Sequence, residues 1–160
     1  MHPQKIFRTS STPGKTIGVV GATLQLGKRE DSRLELIDVP GFGYARKTPH
    51  VQRSEWEPLM ERLRERSHGR GLFWLWLVDP VRKPSEEEFM LREWLGREAY
   101  SIVFTKSEGL KEAERKKILK TWEHFLGGAS EGPYWVSALK GQGFEELAKS
   151  ARNFVRACAL

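Results

Sequence analysis

The run LFWLWLV, Leu72 to Val78, is apolar at every position. A strand with one wet face alternates apolar and polar residues, and a surface helix interrupts its apolar stripe every third or fourth position. An unbroken run of this length therefore fits a strand covered on both faces, the habit of parallel sheets. AYSIVF, Ala99 to Phe104, reads the same way at most of its positions, and PYWVSA, Pro133 to Ala138, is a shorter third candidate. Upstream, Ile17 to Leu26 and Arg33 to Asp38 read as two strands joined through GKREDS, a polar turn of hairpin length.

Helical patterns separate these runs. PSEEEFMLREWLG spaces Ser85 and Glu88 as a capping box and puts Met90, Leu91, Trp94 and Leu95 on one face. Ile118, Leu119, Trp122, Phe125 and Leu126 stripe the next helix, and Phe144, Leu147, Ala148, Ala151 and Val155 the last. Val51 to Ser67 is also helical in pattern, with Pro58 either opening the helix or kinking it. Strands alternating with helices predict an α/β sandwich with right-handed crossovers. Ligands of such folds bind in loops beyond the carboxyl ends of the strands.

The 160 residues suit one domain with its own core, and 39% hydrophobic with 30% charged residues is a soluble composition. No run of 18 or more apolar residues is present, so no membrane span is expected, and no secretory leader pattern opens the chain. Cys158 is the only cysteine, which rules out an internal disulfide. A cytoplasmic protein is expected. The net charge of +6 fits an anionic partner, nucleic acid or membrane surface, as well as it fits a merely soluble basic surface. Lys111 to Lys120 mixes both signs, as a solvated helix face does. Trp74, Trp76, Trp94 and Trp122 lie on apolar faces and read as core rather than as base-stacking platforms, and the four histidines show no ligand spacing.

Polar motifs follow three of the strands: DVPGFGYA (Asp38 to Ala45), TKSE (Thr105 to Glu108) and SALK (Ser137 to Lys140). The Gly-Lys-Thr that ends TSSTPGKT, Thr9 to Thr16, invites a phosphate-loop reading. The motif GxxxxGKS/T, however, needs a glycine where Thr9 stands. In GATLQLGKR, Gly21 and Gly27 are one residue too far apart, and Arg29 replaces the magnesium-binding hydroxyl. Neither stretch is a P-loop.

In their order, the motifs resemble the G domain of translation-factor-class GTPases. TSSTPGKT followed by DVPGFGYA is similar to the EngB/YsxC family of ribosome-assembly GTPases, with the likeness running from Phe7 to about Val155. The resemblance implies a three-layer P-loop NTPase-like (G-domain) sandwich with a mostly parallel sheet and one antiparallel hairpin. It implies a single domain over 1–160 that is N-terminally incomplete, its first strand, P-loop and first helix missing. Removing a central strand leaves buried backbone groups unmet at about 1–3 kcal/mol each, against a net stability of about 5–15 kcal/mol. A fragment is therefore expected over a natural protein without the loop.

Site residues are implied in the same way. Gly14, Lys15 and Thr16 match switch I, with Thr16 reaching magnesium and the γ-phosphate. Asp38, Val39, Pro40 and Gly41 match the start of switch II, where Asp38 holds magnesium through water and the Gly41 N–H meets the γ-phosphate. Phe42 stands where many GTPases carry a glutamine, which implies slow hydrolysis, and no catalytic residue is assigned. Within Thr105, Lys106, Ser107 and Glu108, Lys106 would lie along the purine face and Glu108 would read guanine N1–H and N2–H. Ser137 and Ala138 would close over O6. Glu108 replaces the family's aspartate, and its extra methylene moves the carboxylate by about 1.5 Å. The cofactors implied are GTP or GDP and Mg2+. The role implied is a nucleotide switch in large ribosomal subunit assembly, required for normal cell division and septation. Its partners would be the rRNA and ribosomal protein of the subunit precursor, met by a monomer. Two other readings stand beside it. One is a pseudo-GTPase or truncated fragment that keeps a ribosome- or RNA-binding surface without nucleotide, and the other is a basic nucleic-acid-binding domain whose motif matches are coincidental.

Overall fold

The computed structural model describes residues 20–25, 33–39, 41, 52–67 and 71–158. They fall into two compact units, Met1–Gly69 and Arg70–Cys158.

The first unit holds an antiparallel hairpin and a helix. Strand β1, Val20–Gln25, lies within the stretch expected from the sequence, and β2, Arg33–Asp38, has the expected bounds. They pair from Val20↔Asp38 to Gln25↔Arg33. The register sets Ala22 across from Leu36 and Leu24 across from Leu34, so these four share one face of the ribbon, while Ile37, across from Gly21, lies on the other. Helix α1, Gln52–Arg66, contains Pro58. The proline neither opens the helix nor ends it, although its ring nitrogen has no hydrogen to donate to the turn before. Trp56 and Met60, one turn apart, are the buried residues of α1, and Pro58 is exposed.

The second unit is a parallel sheet of order β3-β4-β5. Its strands are β3 (Phe73–Val78), β4 (Ala99–Phe104) and β5 (Glu131–Trp135). Helix α2 (Glu86–Leu95) crosses from β3 to β4, and α3 (Glu112–Leu126) crosses from β4 to β5. Helix α4 (Phe144–Cys158) follows β5. The sequence marks the start of α2 correctly: the Glu88 carboxylate accepts from the Ser85 N–H at 2.7 Å and from its hydroxyl at 2.6 Å.

Side chains alternate across the sheet. Trp76, Val78, Tyr100, Ile102 and Phe104 form one face, and they pack with Leu95 of α2 and with Trp122 and Phe125 of α3. Trp122 crosses Trp76 edge to face, with ring centroids 6.1 Å apart, and the Tyr100 hydroxyl donates to the Phe125 carbonyl at 2.6 Å. The opposite face meets α4: Phe73 lies 5.1 Å from Phe154 between ring centroids, and the Ser150 hydroxyl donates to the Glu131 carboxylate. Helices thus lie on both faces, but the second face is only partly covered. Leu77, inside the run that reads as a strand covered on both sides, is 64% exposed, because α4 reaches β3 at Phe73 and not at its carboxyl end. The four tryptophans singled out in the sequence all belong to this core.

Strand β5 corrects one boundary. The sequence places it at Pro133 to Ala138, whereas the pairing begins at Glu131, opposite Ser101, and the strand ends at Trp135. A register shift between Ser101 and Val103 accommodates Gly132, at φ 92°, and Pro133. A parallel three-stranded sheet, an antiparallel hairpin and four helices together give an α/β inventory consistent with a G domain.

Candidate functional site

At the carboxyl ends of β3, β4 and β5, backbone hydrogen bonds tie three loops together. The Val78 carbonyl accepts from the Thr105 N–H at 2.7 Å and from the Thr105 hydroxyl at 3.1 Å, which fixes the exit of β4 to that of β3. On the other side, the Val136 N–H donates to the Phe104 carbonyl at 2.9 Å and the Ser107 N–H donates to the Val136 carbonyl at 3.1 Å. Ser137 and Gln142 exchange both backbone hydrogen bonds, at 3.0 and 3.1 Å, and close the loop between them. The Ser137 hydroxyl accepts from the Lys140 N–H at 3.1 Å. Ser107 and Ser137 are buried and serve as anchors, while Lys106 and Ala138 are exposed. The structure thus brings Thr105, Lys106, Ser107, Glu108, Ser137 and Ala138 to one end of one sheet.

Lys106 has a left-handed backbone, φ 52°, a conformation that costs a side-chain-bearing residue of order 1 kcal/mol and collects at functional sites. Its ammonium lies 2.8 Å from Asp79 Oδ2, and Asp79 Oδ1 accepts from the Val81 N–H at 3.2 Å. The Lys106 hydrogen bond, aided by the Val81 N–H and by the charges of Lys106 and Arg82, outweighs desolvation and holds the Asp79 carboxyl below its ordinary range. The Glu108 carboxyl is also held low, first by hydrogen bonding with the Ser137 side chain, then by its own backbone N–H and the charges of Lys140 and Lys106. The Oε2 of this ionised group is covered from solvent and has no hydrogen-bond partner among the described residues.

No family model matches the chain. Individual proteins do. The chain is 32% identical to the Probable GTP-binding protein EngB of Fusobacterium nucleatum, in a match covering 89% of this chain and 70% of that protein. It is 34% identical to the Probable GTP-binding protein EngB of Geobacter sulfurreducens, over 92% of this chain and 68% of that one. The protein of the same name from Syntrophus aciditrophicus is 32% identical, over 96% and 74%. The chain belongs to the EngB family.

In this EngB chain, the other expected site residues lie in the first unit. Asp38 ends β2 with an exposed side chain, Val39 is half-buried and Gly41 is exposed. Gly14, Lys15, Thr16 and Pro40 lie outside the described residues. Of the expected magnesium pair only Asp38 is described, and no group of three or more His, Cys, Asp or Glu side chains is gathered for a metal among the described residues. No described helix is long and apolar enough to cross a membrane.

Two residues that support these loops escape a motif-led reading. Asp79 follows β3, and the strand-end rule that selects the other loops, applied to LFWLWLV as well, would have found it. Gly143, at φ 79°, lies so close to β5 that a Cβ there would stand 1.9 Å from the Trp135 carbonyl oxygen. No spacing rule signals that contact, because it depends on how α4 enters behind the Ser137 loop.

Proposed function

We propose that this EngB chain binds GTP and GDP and acts as a nucleotide switch in assembly of the large ribosomal subunit, in the cytoplasm, with normal cell division and septation depending on it. The observation that carries the nucleotide reading is the gathering of Lys106, Glu108, Ser137 and Ala138 at one end of one sheet, with Lys106 braced by Asp79. A carboxylate offers acceptors only, and guanine presents two donors side by side, N1–H and N2–H. Lys106, braced by Asp79, offers its stem to the purine face, and the Ala138 backbone, next to Ser137, offers its N–H to O6. A bound nucleotide would supply the γ-phosphate whose presence or loss sets the switch. Asp38 is the carboxylate proposed for Mg2+, a hard cation that takes oxygen ligands. The net charge of +6 supports an rRNA-containing precursor as the partner.

Calorimetric titration of the chain with GTP, GDP and ATP, with and without Mg2+, tests this reading. GDP and GTP should bind, with ATP at least ~100-fold weaker, because adenine leaves the carboxylate unmatched. A second reading, a pseudo-GTPase that keeps its ribosomal partner, is favoured by the lack of any GxxxxGKS/T among the 160 residues. It predicts no saturable nucleotide binding, together with ribosomal-particle binding indifferent to GTP or GDP.

A further inference from the structure

Helix α4 is strongly two-faced. Leu147, Ala151 and Phe154 turn toward the sheet, with Phe154 against Phe73 at 5.1 Å between ring centroids. Lys149, Arg152 and Arg156 are all exposed. At 100° per residue the three fall within about 60° of arc, nearly opposite the packed face. They span about 10 Å of helix axis at 1.5 Å per residue. Glu145, one turn before Lys149, is the acidic start of this row, and beyond it the row is cationic to the end of the helix.

Helix α3 offers the contrast. Its exposed Lys116 is paired with Glu112 at 2.9 Å, and Glu114 and Glu123 flank Lys117 and Lys120. The positive charge on α3 is thus partly answered within its own helix.

We propose that the outer face of α4 docks on the phosphate backbone of double-stranded RNA. The choice of RNA rests on the ribosome-assembly reading above, while the surface itself rests on geometry and charge. Phosphates recur every ~3.4 Å of axis along one strand of a DNA duplex and more closely in A-form RNA, so a row of this length spans at least three of them. Two of the three cations are arginines, whose planar forks match phosphate oxygens in pairs. Asn153, exposed beside the row, adds both a donor and an acceptor for 2′-hydroxyls. An anionic membrane is the weaker occupant. A membrane-surface helix buries its apolar face in lipid, and the inner face of α4 is already engaged by the sheet, Phe154 against Phe73 and Ser150 on Glu131.

The test compares two triple variants of the full chain with equal loss of charge. One is Lys149→Ala, Arg152→Ala and Arg156→Ala on α4, and the other is Lys116→Ala, Lys117→Ala and Lys120→Ala on α3. Binding of a 20-base-pair RNA duplex is followed by fluorescence anisotropy across a salt series without nucleotide, beside phosphatidylserine vesicles. The α4 triple should lose at least ~10-fold in RNA affinity near 0.1 M salt, and the slope of log affinity against log salt should fall by about 2 to 3. The α3 triple should stay within about 3-fold of the parent, since its lysines contribute no phosphate contact in this account. Arg152→Glu alone should weaken RNA binding more than Lys117→Glu, a comparison that survives if a triple fails to fold. Equal losses in the two triples, no RNA binding by the parent, or retention by vesicles in preference to RNA would each overturn the proposal. Because nucleotide is absent throughout, failure of GTP binding leaves this readout intact, and failure here leaves the GTP titration intact.

Discussion

The ammonium of Lys106 lies 2.8 Å from Oδ2 of Asp79, a carboxylate delivered by a different strand of the same parallel sheet. The contact links the exits of β3 and β4, and it holds the lysine in a left-handed backbone that only the surrounding hydrogen bonds sustain. It also makes a prediction about affinity. Replacing Asp79 with asparagine should remove the charge that braces the Lys106 side chain and weaken binding of a fluorescent GDP analogue by roughly 3- to 10-fold. Global stability should change by no more than ~1 kcal/mol, because the pair is largely exposed on the lysine side. Fluorescence titration and urea unfolding separate the two effects.

The same pair sets a pH dependence. The Asp79 carboxyl is held below its ordinary value of 3.8, so its contribution is fully present above that value and is lost as pH falls through the lowered one. Urea midpoints measured from pH 6 to pH 2 should show the parent losing stability in acid. The gap between the parent and Asp79→Asn should close below about pH 4.

Ser137 is fully buried and serves both neighbouring groups: its hydroxyl accepts from the Lys140 N–H, and its side chain lowers the Glu108 carboxyl. Ser137→Ala should raise the Glu108 pKa toward its ordinary value of 4.5, read by NMR titration of the labelled carboxyl carbon. Stability should fall by about 1 kcal/mol for the hydrogen bond lost.

Gly143 carries a steric prediction. At φ 79°, with the Trp135 carbonyl oxygen 1.9 Å from where a Cβ would sit, alanine cannot be accommodated without backbone movement. Gly143→Ala should destabilise the chain by about 2–3 kcal/mol and weaken GDP-analogue binding, since the Ser137 loop must shift to admit the methyl. Thermal unfolding and the same titration check both. Gly141→Ala is the control: it has a similar left-handed φ of 63° but open space around it, and it should cost only about 1 kcal/mol.

What was legible in the sequence divides along physical lines. Strands β2 and β4 were readable to the residue, because cross-strand alternation and full burial leave period-two and unbroken apolar signatures. The start of α2 was readable from Ser85 and Glu88, since a capping box is a local bond. Strand β5 was placed two residues late at its start, because the exposed Glu131 and Gly132 carry no strand signal, and only the pairing of Glu131 with Ser101 reveals them as strand. Pro58 inside α1 is a case of tertiary packing, through buried Trp56 and Met60, overriding a local preference. In the site, the TKSE and SALK loops were legible as motifs at strand ends, and Asp79 was within reach of the same rule applied to β3. Gly143 was not, because its close approach to Trp135 exists only once α4 enters behind β5.

The central claim is that Glu108 is a guanine-reading carboxylate, and exchanging its chemistry tests this most directly. In Glu108→Gln, one acceptor becomes a donor. The amide then mismatches guanine's two N–H groups but matches xanthine, which carries N1–H beside a 2-oxo group. Titration of the parent and the variant with GDP and XDP under one set of conditions gives four affinities. The account predicts that the parent prefers GDP, and that the variant loses at least ~10-fold toward GDP while gaining toward XDP. Unchanged GDP affinity in Glu108→Gln, with XDP still rejected, would contradict it.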